Sequence, residues 1–401
     1  MAPVFYGAIS IYLKQLYPIF RSAPKWVDKL LNSKPLLKMA SGMAGSTRAK
    51  GLEEMTVSML MGEHGQQKEE LEKMVDWLES HFKPDVIHIS NALLLGLAHR
   101  LKERLNVPIV CSLQDEHVWV DVMRGNFPQE VWRLMQEKAK DIDRFISVSS
   151  YYTSFMKDKD KLHLNDENIS TLHLGVNPKN YNYINSIEKP RNIGFISRLC
   201  YANGLDILVD AFIEIKKDNK NDDVKLLLTG GFTNDDKKFL NEQKGKLRNA
   251  GLSDDFEIII DFNDEKRNEF FSRVSVLSVP VRGGEAFGIY LLEAMASGVP
   301  IVQPALGAFP EIVEKSSGGA IFPNNTSQEL SASLNSILNN KNKLSTLSKN
   351  AREGVEKSFN INILSKDLVA IYDALLVGQS AQKTQIDDGD RSTKYKQILS
   401  E

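Results

Sequence analysis

At 401 residues the chain exceeds what one hydrophobic core usually serves, so two domains of somewhat under about 200 residues each are expected. Apolar residues make up 42% and charged residues 25%, a globular composition, and a formal net charge of −2 leaves no global basic field to recruit nucleic acid. No uninterrupted apolar run approaches the ~20 residues of a membrane span, and the N-terminal run, interrupted by Lys14, lacks the basic start and cleavage site of a signal peptide, so a cytoplasmic protein is expected.

Between Lys14 and Lys50 eight basic side chains stand against the single acid Asp28, interleaved with Trp26, Leu30, Leu31, Leu36 and Leu37. Such a segment reads either as a solvated helical hairpin or as a peripheral contact with an anionic membrane at its inner face. From about residue 64 a βα rhythm sets in: a charged helix through Val75 and Leu78, a strand at 86–90, an amphipathic helix over 93–105 and a strand at 108–113. A helical stretch around Trp132, a strand at 144–149 and a helix from Tyr151 to Met156 continue it. The segment from about 175 to 190 holds Asn, Pro and Gly without periodicity; residues 176–190 read as an interdomain linker, which divides the chain into a 1–175 domain and a 191–360 domain.

The second half repeats the rhythm, with strands at 192–197, 224–231, 256–260, 274–280, 298–304 and 318–323, apolar enough to be buried on both faces of a parallel sheet. Helices over 204–217, 234–249, 327–340 and 343–357 accompany them, and a closing helix over 361–377 precedes a polar tail, 378–401, expected to be disordered. The fold class is therefore α/β with two Rossmann-like domains. Cys111 and Cys200 lie far apart beside apolar runs and read as buried free thiols.

The chemistry concentrates in GGEAFGIYLLEAMASGVP, residues 283–300. Two glycines and Glu285 follow a buried strand, and a helix then opens near Gly288 or Ile289. In open α/β sheets, ligands bind beyond the carboxyl ends of strands, where a helix N-terminus presents free N–H groups to a diphosphate. Glu293 lies about one turn into that helix and Glu285 just before it, a spacing that suits a sugar-diphosphate-ribose ligand, because carboxylates accept hydroxyl hydrogen bonds. Both glutamates complementing the helix dipole is the plainer alternative.

The stretch Glu285-Ala-Phe-Gly-Ile-Tyr-Leu-Leu-Glu293, followed by Ala-Met-Ala-Ser-Gly-Val-Pro, resembles the signature of glycosyltransferase family 4, the group 1 glycosyl transferases. The resemblance implies a GT-B fold, two Rossmann-like domains facing across a cleft, and retaining transfer of a sugar from a nucleotide-sugar donor without metal or other cofactor. In its terms Glu285 contacts the donor sugar, Glu293 holds the ribose, and the Phe287-Gly288 backbone with the Ile289 helix start meets the sugar and diphosphate. IGFISRLCYANGLDILVDAF, residues 193–212, resembles the segment that brings an arginine and a lysine to the diphosphate; Arg198 takes the arginine position and Asn203 the lysine position. Gly230 of LLLTGG, the Asp261-Phe262 turn near the base, and Gly307, Pro310 and Glu311 also resemble family positions.

The N-terminal half departs more. Gln114 stands where the family often has a histidine that contacts the donor sugar; His117 is the candidate substitute, and Gly7, Gln114, Asp115 and Glu116 are candidates for the acceptor side. Asp141-Ile142-Asp143 mimics the metal motif of the other glycosyltransferase fold but reads as a solvated helix end. The loop-like Tyr6-Gly7-Ala8 follows only five residues, so the N-terminal domain is expected to lack its usual first strand. A phosphorylase, a nucleotide-sugar epimerase, or a donor-binding protein without turnover stays open beside a transferase of carbohydrate biosynthesis; the base, sugar and acceptor stay open too.

Overall fold

The computed structural model of the chain describes residues 52–259 and 264–378. Gly7 and the expected first-strand gap, the basic segment 14–50, the Asp261-Phe262 turn and the tail after 378 lie outside the described residues. The described chain forms two compact units: one holds residues up to Ser147, Thr153–Thr171 and those from Asp367 onward, the other Val148–Tyr152 and Leu172–Lys366. No helix among the described residues is long and apolar enough to cross a membrane.

The first unit runs α1 (Glu53–Leu60), α2 (Lys68–His81), β1 (Ile87–Ile89), a 3₁₀ turn (Ala92–Leu97) leading into α3 (Ala98–Leu105), β2 (Ile109–Leu113), α4 (Glu116–Val120), α5 (Phe127–Ala139), β3 (Arg144–Ser147), α6 (Ser150–Lys157), whose residues up to Tyr152 count with the second unit, and β4 (Ile169–Thr171). Its strands pair in parallel in the order β1-β2-β3-β4. Val110, Cys111 and Phe145 are fully buried, as parallel strands covered on both faces require. Cys111 and Cys200 are both buried free thiols, as the sequence indicates. Asp143 departs from its reading as a solvated helix end: Oδ2 accepts the Ile109 N–H at 2.8 Å and Oδ1 accepts from Lys102 at 2.8 Å, so it pins the start of β2. No group of acids, histidines or cysteines arranged to hold a metal ion occurs among the described residues.

The second unit runs β5 (Asn192–Ile196), α7 (Leu205–Ile215), β6 (Lys225–Thr229), α8 (Lys237–Asn249), β7 (Phe256–Ile259), α9 (Asp264–Ser272), β8 (Val276–Leu277), α10 (Ile289–Ala296), β9 (Ile301–Pro304), α11 (Phe309–Ser316), β10 (Gly319–Phe322), α12 (Ser327–Leu338) and α13 (Lys341–Ser358). A further helical stretch covers 361–378, of which the residues from Asp367 count with the first unit. All six strands are parallel, in the order β10-β9-β8-β5-β6-β7. The chain steps one way from β5 through β7 and the other way from β8 through β10, so the order reverses between β5 and β8. That is a topological switch point, where loops leaving adjacent strands diverge and open a crevice at their carboxyl ends.

Residues 176–190, which read as a linker, pack against this second unit instead. Arg352 donates to the Pro178 and Tyr181 carbonyls at 3.0 and 3.2 Å, and Ser186 Oγ donates to Gly298 O at 2.7 Å. Lys189, only 6% exposed, donates Nζ to the Ser297 carbonyl at the C-terminal end of α10 at 2.9 Å. Burial pushes its pKa down to about 7. Because the unfolded chain then holds the extra proton between about pH 7 and the ordinary lysine range, stability rises with pH across that window. Urea melts at pH 7 and pH 9 are expected to differ by about 2 kcal/mol more in the wild type than in Lys189→Met; equal pH slopes in the two proteins would refute the assignment.

Candidate functional site

Two loops flank the switch point. The loop after β5 carries Arg198 and Asn203; the loop after β8 carries Glu285 and ends at Gly288, the N-cap of α10 at φ 98°. Left-handed backbone there suits glycine, and the first turn of any helix leaves N–H donors without intrahelical acceptors. A Cβ on Gly288 would lie 2.9 Å from Glu285 Oε2, so the missing side chain makes room for that carboxylate beside the helix end. The Phe287 ring is 2% exposed, packed 5.9 Å from His173 and 6.0 Å from Phe359, so only its backbone can meet a ligand. Ile289, at the first position of α10, is 39% exposed.

Glu293 lies one turn along α10. Its Oε1 accepts from Tyr181 Oη and from Arg267, both at 3.0 Å. Burial and then the adjacent Glu293 charge push the Tyr181 phenol up to about 12, so it remains a donor. Arg198, half exposed, forks onto Asp236 at 2.9 and 3.0 Å. Asp236 in turn closes a capping box with Thr233, tying the loop after β6 to the loop after β5. Asn203 donates its amide to Ser197 Oγ at 2.7 Å and to the Arg198 carbonyl at 3.1 Å. Gly230, at φ 120°, approaches so closely that a Cβ would lie 2.2 Å from Ser197 O. Phe262 lies outside the described residues.

The β8 loop is fastened by backbone to its neighbour. Ala308 N–H donates to Glu285 O at 3.0 Å, a Cβ on Gly307 would lie 2.5 Å from both Glu285 N and O, and one on Gly284 would lie 2.6 Å from Gly307 N. Ser149 Oγ donates to the Ala286 carbonyl at 2.6 Å.

In the first unit, Gln114 and Asp115 follow β2 and help line an open pocket of about 300 Å³. Asp115 holds a left-handed backbone, φ 58°, and its side chain makes no helix-cap bond. The His117 ring lies 4.8 Å from that of Phe155, and burial lowers its pKa. It is absent from the lining of the Gln114 pocket.

A family model described as Glycosyl transferases group 1 matches residues 178–354, and one described as Glycosyltransferase Family 4 matches 61–180. The chain belongs to glycosyltransferase family 4. The lipopolysaccharide core biosynthesis mannosyltransferase LpsB of Rhizobium meliloti is 28% identical over 46% of this chain and 52% of its own length. A phosphatidyl-myo-inositol mannosyltransferase of Mycobacterium leprae is 27% identical over 46% of each chain, so the match spans about half the length of these relatives. Among solved structures, Anabaena HepE in complex with UDP superposes with a TM-score of 0.66 at 17% identity, covering 81% of this chain and 96% of that one. The two parallel α/β units thus have the GT-B fold of that family.

Within this family 4 architecture further residues support the site, and Arg282 and Tyr181 among them carried no motif. Glu311, in the first turn of α11, accepts from Ser150 N at 2.9 Å, Ser150 Oγ at 2.9 Å and His173 Nε2 at 2.5 Å. Burial alone would raise its pKa, but the His173 and Ser150 donors outweigh burial and hold it at about 2. Arg282 pairs with Asp206 at 2.9 and 2.7 Å and stacks its guanidinium 3.6 Å from the Tyr201 ring centre. The Arg282 backbone N–H donates to the Ala202 carbonyl at 3.0 Å, joining the loops on either side of the switch point. Glu311 could be located from the family likeness, whereas Tyr181 was hidden in the presumed linker.

Proposed function

We propose that this chain is a retaining glycosyltransferase that moves a sugar from a nucleoside-diphosphate donor to an acceptor hydroxyl, without a metal. The observation that supports this most is the placement of Arg198, Glu285 and the α10 N-terminus on the two loops that diverge between β5 and β8. There Glu293 holds the ribose, and Arg198 with the first-turn N–H groups of α10 stabilises charge growing on the departing diphosphate. Glu285 orients the sugar. The bond from the sugar's anomeric carbon to the phosphate oxygen breaks as the acceptor oxygen bonds on the same face, and the acceptor's proton passes to the leaving diphosphate. No protein nucleophile is assigned.

The Asn203 amide, turned onto Ser197 and the Arg198 carbonyl, favours a second reading, a donor-binding protein without turnover. A thermal-shift panel of UDP-, GDP- and ADP-sugars, followed by product analysis with and without acceptors, separates the two. Arg198→Ala is expected to cut transfer at least ~100-fold while lowering stability by no more than about 1 kcal/mol, because its ion pair is half exposed. Unchanged initial rates would remove Arg198 from the mechanism. Donor-only conversion would point to an epimerase.

A further inference from the structure

We infer that Asp236 is a positioning residue for sugar transfer: it holds one edge of the Arg198 guanidinium, so that the donor diphosphate meets a fixed, charge-compensated fork of N–H groups rather than a mobile cation. The role of Arg198 rests on the glycosyl-transfer reading. The role of Asp236 rests on the geometry of the loops after β5 and β6.

A half-exposed arginine on a loop ordinarily samples many rotamers, and a ligand that immobilises it loses affinity in doing so. Arg198 is held beforehand at both ends. On either side of it the Ser197 N–H donates to Thr229 O at 3.1 Å and the Leu199 N–H to Gly231 O at 2.8 Å, while its own carbonyl accepts the Asn203 amide at 3.1 Å. At the far end, Nε and Nη2 donate to Asp236 at 2.9 and 3.0 Å. Asp236 is itself firmly seated: its side chain is 8% exposed against 50% for Arg198, and Oδ2 also accepts the Thr233 N–H at 2.8 Å and the Thr233 hydroxyl at 2.7 Å. Burial alone would raise its pKa, but the Arg198 and Thr233 donors outweigh burial and hold the carboxyl below its ordinary value. It therefore stays an acceptor at neutral pH.

A guanidinium carries its N–H donors in one plane as a rigid fork. Asp236 takes the Nε–Nη2 edge, which leaves the Nη1–Nη2 end, the edge that can span two oxygens of one phosphate. The pair as a whole carries no net charge, and Asn203, at the neighbouring lysine-like position, adds none. What this side of the site offers is thus direction, the property that lowers a barrier when charge develops on a leaving group. Replacing Asp236 by asparagine turns one acceptor oxygen into a donor facing the guanidinium, and also uncovers a positive charge. Transfer slows because the fork loses its aim, whereas ground-state binding of an anion holds or tightens. A merely structural acid would instead lower stability and move both quantities together.

The test uses the full chain, calorimetry with UDP, GDP and ADP, and transfer kinetics with the donor and acceptor that the thermal-shift and product panel selects. For Asp236→Asn, kcat is expected to fall about 10- to 100-fold with donor KM unchanged or lower, as for a catalytic group displaced by about 1 Å. Nucleoside-diphosphate affinity becomes more salt-dependent than in the wild type between about 0.01 M and about 1 M salt, where the Debye length shrinks from about 30 Å to about 3 Å. Asp236→Glu brings the salt dependence back and part of kcat with it. In an Arg198→Ala background Asp236→Asn changes kcat by less than about twofold, because residues that act through one another are not additive. Thr233→Ala keeps the carboxylate and loosens its seat, so kcat falls at unchanged salt dependence; this variant decides the matter if Asp236→Asn does not fold by its urea melt. Unchanged kcat in the folded variants, KM rising in step with the loss of kcat, or full additivity with Arg198→Ala overturns the inference. A wild type that binds a nucleoside diphosphate yet transfers no sugar overturns the transferase reading instead, and the salt series then decides Asp236: a steeper dependence in Asp236→Asn supports its role and an equal one ends it.

Discussion

Replacing Glu293 by alanine is expected to weaken nucleoside-diphosphate binding by about 10- to 100-fold, or about 1.4–2.8 kcal/mol. Two consequences of the substitution must be separated. The carboxylate is the proposed ribose contact, and it also accepts from Tyr181 and Arg267, so alanine removes the ligand contact and leaves a partly buried guanidinium short of its acid. Glu293→Gln keeps an oxygen for Tyr181 and a hydrogen-bonding end for ribose hydroxyls while cancelling the charge. If ribose recognition dominates, glutamine retains most affinity and alanine loses it, with UDP, GDP or ADP calorimetry as the readout. Equal affinity of wild type and alanine variant would show the pair to be structural only.

The largest stability effect is expected at Glu311. Alanine there strands the Ser150 N–H and hydroxyl and the His173 ring, and a loss of about 3 kcal/mol is expected, read as a lower urea midpoint at constant slope. Acid provides an independent check. The folded carboxyl sits at about 2, below its unfolded value, so its contribution is fully present above the ordinary carboxyl range and drains away as pH falls from about 5 to about 2. Wild type and Glu311→Gln should therefore converge in stability at the acid end of that range. A constant difference between them from pH 6 to pH 2.5 would refute the carboxylate's role.

Strongly apolar strands and the 283–300 stretch were legible from sequence because both their burial and their spacing are written in the residues. Other elements carry weaker signals. β4 has one buried residue, Ile169, and sits at a sheet edge. α9, DEKRNEFFS, places its aromatic residues Phe270 and Phe271 side by side rather than at helical spacing. α11 and α1 were unread; in the former Pro310 falls in the first turn, where a missing N–H is tolerated. The apolar run at 274–280 pairs as a strand only over Val276–Leu277, because Val279 N–H turns to the Gln303 side chain and Pro280 has no N–H. Expected helix 93–105 begins as a 3₁₀ turn, capped by Asn91. At the site, the glutamates were readable, whereas the partners that hold them carried no signal of their own: Tyr181 beside the 178–180 turn for Glu293, and Ser150 and His173 from two separated stretches for Glu311.

The backbone weave between Gly284, Glu285 and Gly307 bears on how this chain can change its donor preference. Side chains at either glycine would drive one loop into the other's main chain, as the 2.5 and 2.6 Å approaches show. Ordering of that loop is therefore written into the folded chain, and ligand binding need not add the ~0.5–1.5 kcal/mol that immobilising each flexible side chain takes. Laboratory evolution toward another nucleotide sugar would accordingly find its productive substitutions at exposed positions such as Tyr201 and Ile289, where a new side chain meets solvent rather than a neighbouring backbone.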